Sequence, residues 1–261
     1  MRIQLAFAIP TKNRPEEILR LLRSIQAQSV KPSQIIIIDG GEISLNEIVR
    51  SFPDLNINYI ICPTSLTEAK NVGIRSFFPT ITHAGFLDDD LVFEKGTLES
   101  LFSFWSKAPR EIAGVGLNIT NLVLRGPCNL IKWPFLLSSK NNGMILRSGY
   151  NTWYCPVDKR LYVDWLFGGA SVWRREIFNE FRFDEAYEGY AFMEDVDFSY
   201  RVSRKYKLVA LPEIKVKHLH APGHRVSGFN FGRMQMLNRY HFVRKHPKLS
   251  VPLFFWSSFG S

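Results

Sequence analysis

Cysteine is scarce and scattered. Cys62, Cys128 and Cys155 are the only three in 261 residues, and no two form a C-x-x-C pair. That excludes a disulfide framework and a cysteine-rich zinc site, and it fits a reducing compartment. Long apolar runs are missing too: no stretch reaches the roughly 18 uninterrupted apolar residues of a membrane-spanning helix. The opening MRIQLAFAIPTKNRP carries a short apolar run with no small-residue cleavage site behind it, so it reads as a buried strand rather than a signal peptide. With no export signal, the glycosylation-like triplet Asn118-Ile119-Thr120 reads as incidental. Glycine is absent from Pro10-Thr11-Lys12-Asn13-Arg14, where a sugar nucleotidyltransferase would want a phosphate loop, and neither G-x-x-x-x-G-K-[ST] nor G-x-G-x-x-G occurs.

Acidic residues are nearly absent from one region. From Arg201 onward there are 12 Lys/Arg against the single acid Glu213, net +11, whereas the first 200 residues hold 21 basic and 23 acidic side chains. The excess positive charge of the chain therefore sits in its last quarter. Such asymmetry has two readings, a solvated face or an anionic partner such as a membrane surface, a phosphate-bearing substrate or nucleic acid, the last of which would make the chain a non-catalytic basic binding protein. Met234–Lys248 interleaves Arg239, Arg244, Lys245 and Lys248 with aromatics, and Val251-Pro252-Leu253-Phe254-Phe255-Trp256 follows. A basic stretch beside Phe and Trp has the composition of an interfacial anchor.

The first half alternates strand and helix signals. Residues 3–9, 35–38, 57–61, 83–87 and 112–117 are short and apolar, which predicts strands. Between them, Pro15 opens a helix whose first turn carries Glu16 and Glu17 at its positive end. Ile18, Leu21, Leu22 and Ile25 follow on one face. Residues 66–77 and 98–105 also read as helical. Strand–helix alternation implies right-handed crossovers and a mainly parallel α/β sheet. From about residue 125 to 160 the periodicity stops; Trp133, Phe135, Tyr150, Trp153 and Tyr154 suggest an ordered, substrate-facing region there. Helices are predicted again near 174–181 and 194–205.

Three groups of residues carry chemistry. Asp88-Asp89-Asp90 closes the apolar strand ending at Leu87. Adjacent carboxylates repel one another, and an oxygen-rich cluster at a strand's carboxyl end suits Mg²⁺ or Mn²⁺ bridging to a diphosphate. Glu194-Asp195-Val196-Asp197 opens a predicted helix, where acids either stabilise the helix dipole or supply a general base. In Val216-Lys217-His218-Leu219-His220 the alternation puts His218 and His220 on one strand face, with His224 nearby, and imidazole is a ready ligand for Mn²⁺-class metals.

In their order, Pro10-Thr11, Asp39, Lys70-Asn71-x-Gly73, Asp88-Asp89-Asp90, Gly168-Gly169, Glu194-Asp195 and His218 resemble family 2 inverting glycosyltransferases from about Arg2 to Lys245. The resemblance implies a GT-A fold and a hexosyltransferase-like activity of the kind used in polysaccharide biosynthesis. It implies that Thr11 and Asp39 meet the nucleotide, that Asn71 and Gly73 lie in the helix bordering the base, and that Asp88 meets the ribose. Pro10, Lys70 and Asp89 fall on the same donor side. Asp90 would hold the divalent metal, His218 would contact metal or diphosphate, and Asp195, beside Glu194, would be the catalytic base. Gly168 and Gly169 would form a turn where backbone closes on donor or acceptor. The chain departs from the pattern after the second strand, where Gly40 follows Asp39 in place of a second acid. The implied organisation is a nucleotide-sugar half (1–120), an acceptor and catalytic half (121–248) and an apolar tail (249–261). The implied partners are a nucleotide-diphosphate sugar and a saccharide or lipid-linked acceptor. No nucleic acid is expected, the location is cytoplasmic, and the basic C-terminal segment would supply a peripheral contact with the inner face of the membrane.

Overall fold

A computed structural model describes residues 2–122, 132–189, 191–219 and 228–260. The first half runs β1 (Leu5–Thr11), α1 (Pro15–Gln26), β2 (Gln34–Asp39), α2 (Asn46–Arg50), β3 (Ile57–Ile61), α3 (Leu66–Ser76), β4 (His83–Leu87), β5 (Leu91–Phe93), α4 (Thr97–Lys107) and β6 (Ile112–Ile119). The second half adds β7 (Leu161–Val163), β8 (Ala170–Arg174), a 3-10 turn at Arg175–Asn179, α5 (Glu194–Ser203), β9 (Lys207–His218), α6 (Gly228–Lys245) and α7 (Val251–Ser258).

The nine strands of the described residues form one sheet in the order β3-β2-β1-β4-β8-β6-β9-β5, with β7 paired to β9. Strands β1, β2, β3, β4, β6 and β9 point one way and β5, β7 and β8 the other, so the sheet is mostly parallel. Strand β1 has β2 on one side and β4 on the other. This is the topological switch point at which open α/β sheets bind ligands, beyond the carboxyl ends of the strands.

Local sequence accounts for most of these elements. Helix α1 starts at Pro15, carries Glu16 and Glu17 in its first turn, and buries Ile18, Leu21, Leu22 and Ile25. Each such side chain contributes about 1.5–3 kcal/mol of burial, and Leu21→Ala would cost about 2–5 kcal/mol. Helix α3 is capped by Ser65, whose hydroxyl accepts from the Glu68 amide. It lies close on β1 because Gly73 has no side chain: a Cβ there would be 2.7 Å from that of Ala8.

Three findings go beyond or against the sequence expectations. The helix expected near residues 174–181 is only a short 3-10 turn at Arg175–Asn179, and Arg174 ends the strand β8, which the sequence reading did not include. Val172 and Trp173 are buried where β8 pairs with β4 and β6, a setting that suits β-branched and aromatic side chains. The irregular region, described from residue 132, is ordered by close contacts rather than by a repeating ladder. Gly149 adopts φ 79°, and a Cβ there would lie 2.2 Å from Val243 of α6. Part of the basic C-terminal charge turns inward: Arg239 is buried, donates to the Gly149 carbonyl at 3.1 Å and lies over the Tyr150 ring.

Asp197 anchors the C-terminal helices. It is fully buried; its Oδ1 is 2.8 Å from His246 Nε2, and its Oδ2 accepts from Arg201 and Lys245, both at 2.9 Å. Burial alone would raise its pKa, but these three partners hold it down at about 2. Asn118 is buried, with its amide donating to the Val157 and Pro212 carbonyls, in keeping with an incidental triplet. Cys62 and Cys155 are free; Cys128, His220 and His224 lie outside the described residues. Among the described residues, no helix is long and apolar enough to cross a membrane.

Candidate active site

Strands β1 and β4 are parallel neighbours, so Thr11 and the acids after Leu87 emerge side by side at the carboxyl edge. Thr11 Oγ1 donates to Asp89 Oδ2 at 2.7 Å, and Arg14 Nη1 donates to Asp89 Oδ1 at 3.0 Å. Burial pushes the Asp89 carboxyl up to about 6, against the pull of Thr11 and Arg14. Asp89 thus braces the two strand exits and leaves its neighbours to face the edge.

The pairing of β5 with β9 decides where those neighbours point. Leu91 lies opposite His218, and the Leu219 amide donates to the Asp90 carbonyl at 3.0 Å. His218 Nε2 is consequently 2.8 Å from Asp90 Oδ1 and 4.0 Å from Asp88 Oδ2. Burial works against a charged imidazole, but Asp90 and Asp88 outweigh it and hold His218 above its usual pKa. One ligand atom from each of Asp88, Asp90 and His218 falls within 4.8 Å of the others. Two carboxylate oxygens and one imidazole nitrogen at this spacing are a donor set suited to Mn²⁺ or Mg²⁺.

The second acidic motif approaches from the other side. Strand β8 runs antiparallel to β4, which brings Gly169 against Asp88: the Asp88 amide donates to the Gly169 carbonyl at 2.8 Å. A Cβ at Gly169 would lie 1.9 Å from the Asp88 carboxyl carbon. The Gly168 amide donates to Asp195 Oδ2 at 3.0 Å, and the Val196 amide donates to Asp195 Oδ1 at 2.8 Å. A Cβ at Gly168 would be 2.6 Å from Lys70 Nζ and 2.8 Å from Asp195 Cβ. Met193, at φ 84°, turns the chain into α5. Burial raises the Asp195 pKa, opposed by Lys70 and the two amides and reinforced by Asp88. Glu194 is buried against Lys70 Nζ at 2.8 Å. Burial raises the Glu194 pKa despite that partner, while the surrounding acids keep Lys70 protonated.

The structure brings Thr11, Lys70, Asp88, Asp89, Asp90, Gly168, Gly169, Glu194, Asp195 and His218 to one edge. Pro10 pairs with Ile38, and Thr11 with Asp39, in the β1–β2 register. Asp39 is buried and accepts from the Tyr59 hydroxyl at 2.7 Å and from the Gly41 amide at 2.8 Å. Asn71 faces the core: its amide donates to the Phe183 carbonyl at 3.0 Å and to Glu185 Oε1 at 2.8 Å, and accepts from the Phe183 amide. Sequence reasoning missed Arg14, which lies just beyond the end of β1, and Tyr59, which sits in the middle of β3. Tyr154 turns inward, whereas Trp153 stays 43% exposed, its ring 5.0 Å from that of Phe167, the residue before Gly168.

Comparison with known proteins bears on the fold and the family. No curated protein sequence matches the chain. Among solved structures, S. aureus TarS (residues 1–349) is 14% identical, with 99% of this chain and 71% of that one covered and a TM-score of 0.60. GalNAc-T7 with UDP, GalNAc and Mn²⁺ is 15% identical, covering 99% and 54%, at 0.67. A mannosyltransferase from Pyrobaculum calidifontis, PcManGT, in complex with GDP-Man and Mn²⁺, is 14% identical, covering 100% and 70%, at 0.63. At such identities the likeness establishes a shared fold of GT-A type. The family profile described as Glycosyl transferase family 2 matches residues 6–151, more than half the chain, and the chain therefore belongs to glycosyl transferase family 2.

Proposed function

We propose that this glycosyltransferase moves a hexose from a nucleotide-diphosphate donor to an acceptor hydroxyl with inversion and with the aid of a divalent cation. One observation carries the reading: the cluster of Asp88, Asp90 and His218 and the half-buried Asp195 meet across a single turn, Gly168-Gly169. The nucleotide lies over Thr11, Asp39, Asp88 and Asp89. Residues 1–120 form the donor half and 121–248 the acceptor and catalytic half. A cation held by Asp88, Asp90 and His218 would offset the negative charge that develops on the diphosphate leaving group.

Asp195 takes the proton. As the acceptor oxygen attacks the anomeric carbon from the face opposite the diphosphate, the acceptor O–H proton moves to a carboxylate oxygen of Asp195 and the bond from carbon to diphosphate oxygen breaks. One displacement inverts the centre. The raised pKa of Asp195 suits that role, because a base is most effective when its pKa approaches the working pH. The amides of Gly168 and Val196 fix the carboxylate's orientation. The Lys70–Glu194 pair holds the start of α5 in place. The exposed face of Trp153 offers the acceptor sugar an apolar platform on the Phe167 side. The acceptor is a saccharide, free or lipid-linked, and the chain reaches a membrane peripherally.

The test is a thermal-shift panel of nucleoside diphosphates with Mn²⁺ or with EDTA. A ligand bound only by the native state at about 100 times its Kd stabilises by about 2.7 kcal/mol. At least one diphosphate is expected to raise the midpoint with Mn²⁺, and Asp90→Asn is expected to lose that shift while keeping its own transition. Equal shifts in EDTA would overturn the metal-assisted reading.

A further inference from the structure

Helix α7 is apolar on both sides. Phe254 and Ser257 point inward and are buried, while Phe255 (53% exposed), Trp256 (51%) and Phe259 (83%) face out. A helix apolar all round is normally covered on all sides, and one with a wet apolar face marks an interaction site. The patch continues beyond the helix. Trp256 Nε1 donates to the Pro134 carbonyl at 2.9 Å, and its ring stacks on Phe135 at 5.5 Å, which sets the exposed Trp133 beside it.

Cations rim this surface. Arg244 lies over the Tyr240 ring, which is itself 5.9 Å from the ring of Phe255. The Ser250 amide donates to the Arg147 carbonyl at 2.8 Å, so exposed Arg147 sits at the start of α7, and exposed Lys132 adjoins Trp133. Arg239 and Lys245, which the sequence suggested as part of the anchor, are instead spent on Gly149 and on Asp184 and Asp197. The surface is thus a cluster of Phe and Trp edged with Arg and Lys. Aromatic rings settle at the level of lipid headgroups, and cations are drawn to anionic ones.

We infer that the outward face of α7, with the turn around Trp133, docks the chain on an anionic lipid surface through Phe255, Trp256 and Phe259. This deepens the peripheral-membrane part of the proposed function and is independent of the transfer chemistry. Docking here would hold the enzyme at the surface where a lipid-linked acceptor resides.

The experiment is co-sedimentation of the full chain with phosphatidylcholine vesicles, with and without phosphatidylglycerol, at low and high salt. Binding should require the anionic lipid and weaken with salt. Phe255→Ser/Phe259→Ser should reduce partitioning at least tenfold, and Arg147→Gln/Arg244→Gln should lower it by about fivefold per charge. Both variants should retain the Mn²⁺-dependent nucleotide shift of the parent, which separates loss of docking from loss of the donor site or the fold. Recovery of the parent chain in the supernatant with both lipids overturns the inference. So does a parent that is dimeric in analytical ultracentrifugation and becomes monomeric in the Phe255→Ser/Phe259→Ser variant, since a second copy would then cover the patch.

Discussion

Gly169 and Asp88 are locked together. The Gly169 carbonyl accepts the Asp88 amide at 2.8 Å, and the space where a Cβ would stand at 169 holds the Asp88 carboxyl group, at 1.9 Å. The glycine is therefore required by the acid's position rather than by its own backbone angles.

Gly169→Ala should push the Asp88 carboxylate away from Asp90 and His218. Forcing a methyl into such a space costs roughly 1–3 kcal/mol of stability. The larger expected effect is on Mn²⁺-dependent nucleotide binding, weakened at least about tenfold, because the displaced acid belongs to the proposed metal cluster. Titration calorimetry with a nucleoside diphosphate and Mn²⁺ reads it. Unchanged affinity would show that Asp88 takes no part in holding the donor.

Asp195→Asn keeps the shape of the side chain but removes the base. Turnover should fall at least about 10²-fold while the nucleotide shift stays near that of the parent. The stereochemistry of the product, read by NMR of the new glycosidic bond, is an independent check. A product that keeps the donor's anomeric configuration would exclude the single displacement.

Trp153→Ala should raise the acceptor KM about fivefold or more, with nucleotide affinity unchanged, since stacking contacts of aromatic rings are worth about 1 kcal/mol. Trp153→Phe should recover most of the loss. A panel of p-nitrophenyl glycosides as acceptors supplies the measurement, and an equal KM for all three proteins would remove Trp153 from the acceptor side.

Asp197 should set a limit to acid stability. Its folded pKa of about 2 lies below the ordinary 3.8, so folding favours the ionised form. The stabilisation, about 2 kcal/mol, is complete above pH ~4 and is lost as the pH falls through ~2. Asp197→Asn should destabilise the chain by about 3–5 kcal/mol at neutral pH, because Lys245 and Arg201 lose their buried partner. It should also flatten the fall of Tm between pH 5 and 2.5. An acid profile of the Asp197→Asn variant that parallels the parent's would assign that sensitivity to other carboxylates.

Strands β1, β2, β3, β4 and β6, helix α1 and the positions of the acidic motifs were legible in the sequence because their causes are local, whereas the short β5 was missed because its pairing with the distant β9 defines it. Runs such as Ile35-Ile36-Ile37-Ile38, the spacing of Ile18, Leu21, Leu22 and Ile25, and Pro15 ahead of two glutamates act within a few residues. The same applies to the repulsion among Asp88, Asp89 and Asp90. What the tertiary structure alone decided depends on partners far along the chain. Strand β8 exists because β4 and β6 bury it on both edges. Asp195 faces Asp88 because the Gly168-Gly169 turn has no side chains to keep them apart. Lys245 turns inward because Asp197 is fully buried. Helix α7 shows Phe255 and Phe259 to solvent because Phe254 and Ser257 take the inner face. Composition counts charges and rings, but only the packing of distant elements determines which of them stay in water.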